Sequence, residues 1–143
     1  TGRPMVGVCF GHQIIGQALG GRVIKYPGGW SVGRQSYDID GETLALNAWH
    51  QDQVVEPPAT AQVIGRSDFC ANAAMRIGET ILTIQPHPEF HAGIVAGLIR
   101  YRGAGVVPDD RLARARAGLE APTDAARFAD RMARHFAGGR PDG

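Results

Sequence analysis

Cysteine is scarce in this chain: Cys9 and Cys70 are the two among 143 residues, and they form no C-x-x-C pair. That scarcity excludes a disulfide-dense secreted scaffold and a paired-cysteine metal knuckle, so each thiol is read on its own. Lysine is scarcer still, with Lys25 alone, and Lys plus Arg at 15 against Asp plus Glu at 14 leave a formal net charge of +1. So balanced a chain has no global field to draw in nucleic acid or an anionic membrane surface, and neither is expected as a partner. Aromatic residues make up 7%, without the basic-aromatic interleaving of a nucleic-acid platform. No apolar run approaches the roughly 18 residues of a spanning helix, and Thr1-Gly2-Arg3-Pro4 lacks the charged-then-apolar form of a secretory signal. A cytoplasmic location is the expectation. No G-x-x-x-x-G-K-[ST] loop is present to cradle a nucleotide.

What is present is the composition of one globular domain, 43% hydrophobic and 20% charged. At about 150 residues a domain buries roughly 70% of the surface its unfolded chain exposes, so no metal or disulfide is needed for stability. Pro4 to Val8 reads as a short strand buried on both faces. From Gly11 the apolar positions Ile14, Ile15, Ala18 and Leu19 follow a helical stripe, closed by Gly20-Gly21. Strands are expected at 22–26, 35–40, 53–55, 61–65, 73–77 and 81–84, with turns at Asp40-Gly41 and Gly78-Glu79-Thr80. Helices are expected from Ile94 to about Gly103, at 109–119 and at 123–136. Residues 138–143 read as a disordered tail.

The sharpest local feature is Gly7-Val8-Cys9-Phe10-Gly11, a G-x-nucleophile-x-G string at a strand-to-helix junction. A nucleophile in such a turn sits in a strained conformation, and Gly7 and Gly11 let strand and helix approach. The unpaired N–H groups at the helix start point at the sulfur, which favours thiolate and makes Cys9 reactive near neutral pH. The Phe10 N–H is positioned as an oxyanion donor. An imidazole oriented by a carboxylate completes such chemistry. In Gln85-Pro86-His87-Pro88-Glu89, the two prolines keep the segment extended, so Glu89 points to the same side as His87 and reaches its ring. His87, Glu89 and His91, with His50 and Asp52, lack the ligand spacing of a metal site, and no metal or cofactor is expected. His12 reads as packing near the elbow, Cys70 as an inert thiol, and Trp30 and Trp49 as packing anchors.

The strings GVCFGHQ at 7–13 and HPE at 87–89 together resemble the class I, triad-type glutamine amidotransferases, whose elbow reads G-x-C-x-G-x-Q and whose closing motif is H-P-E. GQALGGRV at 16–23, the Trp30–Gly33 turn and WHQDQV at 49–54 are also similar, most of all to GMP-synthetase-type and free-standing members. The resemblance implies an α/β fold: a three-layer, flavodoxin-like, mostly parallel sheet with an antiparallel appendage and helices on both faces, here as a partial glutaminase domain over 1–137. It implies Cys9 as nucleophile, His87 as general acid/base and Glu89 as the residue that orients it. Phe10, Gln13, Gln51 and Asp52 would bind L-glutamine, Gln13 at its α-amino acid end with backbone groups of Gln51 and Asp52 opposite. Ammonia would pass to a synthetase subunit or domain.

A γ-glutamyl hydrolase or peptidase on the same triad, or a module that only binds, are the alternatives. Modules of this family carry several strands and helices ahead of the elbow, whereas eight residues precede Cys9 here. The expectation is therefore a module lacking its N-terminal part, weakly active, with an exposed sheet edge through which it is poorly stable or forms a homodimer.

Overall fold

The computed structural model describes residues 2–138. Of the expected tail only Gly138 is among them, and 139–143 lie outside the described residues. The order of elements is β1 (Met5–Val8), α1 (Phe10–Ala18), β2 (Arg22–Lys25), β3 (Ser31–Ile39), β4 (Glu42–His50), β5 (Asp52–Glu56), β6 (Ala61–Arg66), β7 (Ala74–Ile77), β8 (Ile81–Ile84), α2 (Ala92–Leu98), a π-helical turn (Ile99–Gly103), α3 (Asp109–Ala117) and α4 (Ala125–Phe136). No helix among the described residues is long and apolar enough to cross a membrane.

The fold is α/β. Six strands form one mixed sheet in the order β1-β8-β7-β6-β3-β4, and β2 pairs with β5 in a separate ribbon. Within the described residues β1 and β8 are the parallel pair, and the antiparallel appendage is the larger share of the sheet. β1 is the end strand. The expected punctuation holds where backbone sterics demand it: Asp40 and Gly41 both take positive φ (51° and 81°) in the tight β3–β4 turn, the geometry of a two-residue hairpin. Gly20 follows α1 at φ 103°.

Two stretches differ from the sequence expectation. β3 begins at Ser31, so the Trp30–Gly33 turn is largely strand, and β4, absent from the expected strands, pairs with β3 at nine positions from Ile39↔Glu42 to Ser31↔His50. The Thr-Leu-Ala-Leu-Asn-Ala run of β4 is rich in helix formers and poor in β-branched residues; cross-strand pairing and burial of Leu44 to Ala48 override that propensity.

The alternation of β1 and β8 sorts their side chains into two layers. Val6, Val8, Leu82 and Ile84 pack with Phe128 and Met132 of α4. Gly7 and Thr83 face α1, through Ile15 and His12 respectively. A second cluster joins α2, the π turn and α3 to the start of β3, with Trp30 and Trp49 as packing residues. Polar pins fix α4. Asp124 donates its N–H to the Ala45 carbonyl at 2.7 Å and accepts from the Ala45 N–H at 2.8 Å. At the far end, buried His135 donates Nε2–H to the carbonyls of Thr80 (2.7 Å) and Met5 (3.1 Å). The C-terminal helix thereby clamps the starts of β1 and β8 together. Phe128 is 1% exposed in the middle of this layer; Phe128→Ala is expected to lower the unfolding free energy by about 3–5 kcal/mol in urea denaturation, with the cavity as the cause.

Candidate active site

Parallel pairing brings the carboxyl ends of β1 and β8 to the same side, with Val8 opposite Ile84 and the Cys9 N–H donating to the Ile84 carbonyl at 2.9 Å. Cys9 follows at φ 52°, ψ −101°, a strained conformation that costs about 1–3 kcal/mol and is held by its surroundings. A Cβ on Gly7 would lie 2.7 Å from Ile15 Cδ1 and 2.9 Å from the Gly11 backbone, so glycine is required there. Gly11 is a correction: a Cβ on it would meet nothing within 4 Å. It is Gly11's backbone, and not its missing side chain, that lies against Gly7.

The thiol also corrects the expectation of a ready thiolate. Burial pushes Cys9 up to about 11; the Phe10 N–H and the Gln85 carboxamide pull it down, while the carboxylates of Glu89 and Asp52 add to the rise. Loss of hydration outweighs the helix N-terminus, so the resting sulfur is a neutral thiol at pH 7. Gln85, to which no role was assigned from sequence, donates Nε2–H to Cys9 Sγ at 3.5 Å. Its signal was positional: it is the first residue beyond β8, where open α/β sheets build their sites.

His87 and Glu89 are together, Nδ1 lying 3.1 and 3.2 Å from the two carboxylate oxygens. The imidazole stacks on Phe90, ring centroids 3.9 Å apart and planes within 2°. The His87 N–H donates to the Asn47 carbonyl at 2.8 Å, which joins this segment to β4. No hydrogen bond among the described residues joins the imidazole to Cys9 Sγ, although the Glu89 carboxylate acts electrostatically on that sulfur. Gln13 is buried, donating to the Asp52 carbonyl at 2.9 Å and to Gln85 Oε1 at 3.2 Å. With Phe10, Asp52, Ile14, Ala18 and Val23 it lines an open groove of about 540 Å³ beside the elbow. Gln51 does not line it; its carbonyl accepts the Tyr26 N–H at 3.0 Å. A larger cavity of about 690 Å³ lies between α4 and the β3–β4 turn, far along the sheet from the thiol and rimmed by mutually paired charges such as Arg127–Glu42.

Two further histidines underlie the site. His12 is fully buried; a carbonyl accepts at Nε2 (Asn72, 3.0 Å), so Nε2 carries the proton and Nδ1 accepts from the Thr83 hydroxyl at 2.7 Å. His50 Nδ1 donates to the Asp52 carbonyl at 3.2 Å, and its buried Nε2 has no hydrogen-bond partner among the described residues. Burial holds both at about 4, below the ordinary 6.5. The unfolded chain binds protons there between pH 6.5 and 4 and the native chain does not, so their contribution to stability is complete above 6.5 and lost as pH falls through 4. The melting temperature is therefore expected to drop steeply over that interval, by an equivalent of several kcal/mol, and His12→Gln is expected to flatten the drop. Cys9 alkylation by iodoacetamide is expected to keep rising with pH towards about 11, while buried Cys70 is protected until the chain unfolds.

Comparison with known proteins matches residues 1–96 to the family Glutamine amidotransferase class-I. A glutamine amidotransferase-like protein of Schizosaccharomyces pombe is 31% identical over 84% of this chain and 52% of its own length. Gamma-glutamyl peptidase 2 of Arabidopsis thaliana is 33% identical over 68% of this chain and 44% of its own. The chain thus spans about half the length of the curated relatives it matches. The glutamine amidotransferase of Methylobacillus flagellatus, 24% identical, shares the fold with a TM-score of 0.72 over 93% of this chain and 60% of that one. A strained cysteine elbow ending one parallel strand and a His–Glu pair beyond its neighbour are features that this match embraces, and the chain belongs to the class-I glutamine amidotransferase family.

Proposed function

We propose that this chain carries the glutaminase chemistry of a class-I amidotransferase, with Cys9 as nucleophile, His87 as general acid/base and Glu89 orienting the imidazole. The observation that supports the reading is the common strand end: a cysteine held at φ 52° directly after β1 and, three residues beyond the end of its parallel neighbour β8, a histidine whose Nδ1 is tied to a carboxylate at 3.1 Å. Glutamine's side-chain carbonyl carbon is attacked by Sγ as His87 takes the thiol proton, and the Phe10 N–H donates to the developing oxyanion. His87 returns the proton to the amide nitrogen, which leaves as ammonia, and a γ-glutamyl thioester remains. Water, deprotonated by His87, hydrolyses the thioester to glutamate and the free thiol. A neutral resting thiol suits this sequence, because the proton moves only when substrate is in place.

Gln13 and Asp52 line the groove beside the elbow, and we assign substrate binding to them, with Gln13 Oε1 as acceptor for the α-ammonium group. Both Nε2 hydrogens of Gln13 are already engaged. The ammonia passes to a synthetase subunit or domain, and the outer edge of β1, which no other strand among the described residues pairs, takes a further strand, from a partner element or a second copy. Free thiols at Cys9 and Cys70 suit the reducing cytoplasm.

A γ-glutamyl peptidase is the second reading. It is supported by the Arabidopsis relative of that name and by exposed Phe10 and Ile14, which offer apolar contact to a group larger than ammonia beyond the γ-carbonyl. Turnover of glutamine against γ-glutamyl dipeptides separates the two. Cys9→Ala is expected to abolish both activities, His87→Asn to lower kcat by about 10²–10⁴-fold, and Glu89→Gln to cost less. A chloroketone analogue of glutamine is expected to label Cys9 and spare Cys70. No labelling at neutral pH under reducing conditions would leave a module that only binds.

A further inference from the structure

We propose that Gln85 is a further catalytic residue, whose carboxamide, aimed by Gln13, donates a hydrogen bond to the Cys9 sulfur as the thiolate forms. The proposal rests on the reading of Cys9 as nucleophile, and it starts from an orientation that the hydrogen bonds determine. The Asp52 carbonyl can only accept, so the Gln13 atom 2.9 Å from it is the NH₂ nitrogen. The second hydrogen of that nitrogen goes to Gln85 at 3.2 Å, which makes the facing Gln85 atom the oxygen. The Gln85 NH₂ is left pointing at Sγ, 3.5 Å away. Gln85 is fully buried, its Oε1 accepts from Gln13 and its backbone N–H is pinned to the Ala73 carbonyl at 2.7 Å.

A neutral thiol is a poor acceptor, whereas a thiolate is a strong one. A donor fixed at this distance therefore gains most when charge has developed on sulfur, which is what a group acting in the transition state must do. It offsets part of the desolvation that otherwise keeps the proton on Cys9. Because Gln13 lines the substrate groove and orients Gln85, a ligand in the groove that hydrogen-bonds Gln13 polarises the same chain of amides towards the sulfur.

The test is the pH dependence of Cys9 alkylation by iodoacetamide, a small reagent that does not need the groove, with Cys70 as an internal reporter of folding. Gln85→Glu keeps the acceptor for Gln13 but turns an oxygen to the sulfur. It is expected to slow Cys9 labelling at pH 8 by about tenfold or more, the equivalent of a pKa unit, with Cys70 still protected, and to lower kcat with KM for glutamine little changed. Gln13→Met, which removes the bond that orients Gln85 together with the one to the Asp52 carbonyl, is expected to slow it less. In the unsubstituted chain the Gln85 side-chain amide resonances are expected to shift with the same pH midpoint as the alkylation rate. Alkylation profiles that superimpose on the unsubstituted chain in a variant that protects Cys70, or amide resonances indifferent to Cys9 ionisation, would overturn the proposal. Failure of the chloroketone to label Cys9 would instead overturn the glutaminase reading and leave this contact standing.

Discussion

The parallel register of β1 against β8 is the constraint on which the rest of the molecule depends. With Val8 opposite Ile84 and the Cys9 N–H on the Ile84 carbonyl at 2.9 Å, the residues that follow the two strands emerge at the same level of the same edge. A slip of one residue would turn Gly7 towards α4 and Val6 or Val8 into the space that α1 occupies. The α1 layer cannot take that change, because Ile15 and the Gly11 backbone already lie where a side chain at Gly7 would stand. At the opposite end His135 donates to the carbonyls of Met5 and Thr80, so the pair is held at both ends, by the elbow and by the C-terminal helix.

The site built on that pair is dry and nearly uncharged behind the sulfur. His12 and His50 are buried as neutral rings, Gln13 and Gln85 face each other, and carbonyls of Asn72 and Asp52 accept what these side chains donate. In low dielectric, such fixed neutral dipoles, all but His50 Nε2 hydrogen-bonded, stabilise a developing charge without having to reorganise. The same burial raises the thiol, so the protonated resting sulfur and the value of a donor aimed at it arise from one cause. His87 and Glu89 sit nearer solvent, with 17% and 54% of their side chains exposed.

How much of this was legible in the sequence depended on whether the cause was local. The elbow, the Asp40-Gly41 turn and the helix stop at Gly20 each follow from the conformational demands of a few adjacent residues, and each was readable; the His87–Glu89 contact forms too, but through a turn at Pro88-Glu89 closed by the Phe90 N–H on the His87 carbonyl at 3.1 Å, where an extended segment was expected. β4 was not, because its composition favours helix and only pairing with β3 and burial make it a strand. Asp124 was readable as a helix start, yet its carboxylate accepts from the Ala45 N–H of β4 and makes no hydrogen bond to cap its own helix. Gln85 was unreadable as a donor, since nothing local says that its carboxamide meets a sulfur 76 residues earlier.

By itself the sequence determined which residue is strained and nucleophilic in type, which imidazole has a carboxylate at hand, and the order of strand, turn and helix around each, since these are matters of backbone sterics and near neighbours. Tertiary structure alone decided that the thiol rests protonated, that the histidines beneath it are neutral, and that two glutamine side chains run from the Asp52 carbonyl to the sulfur. Desolvation and hydrogen-bond direction depend on what surrounds a group in three dimensions, and that environment is assembled from segments far apart along the chain.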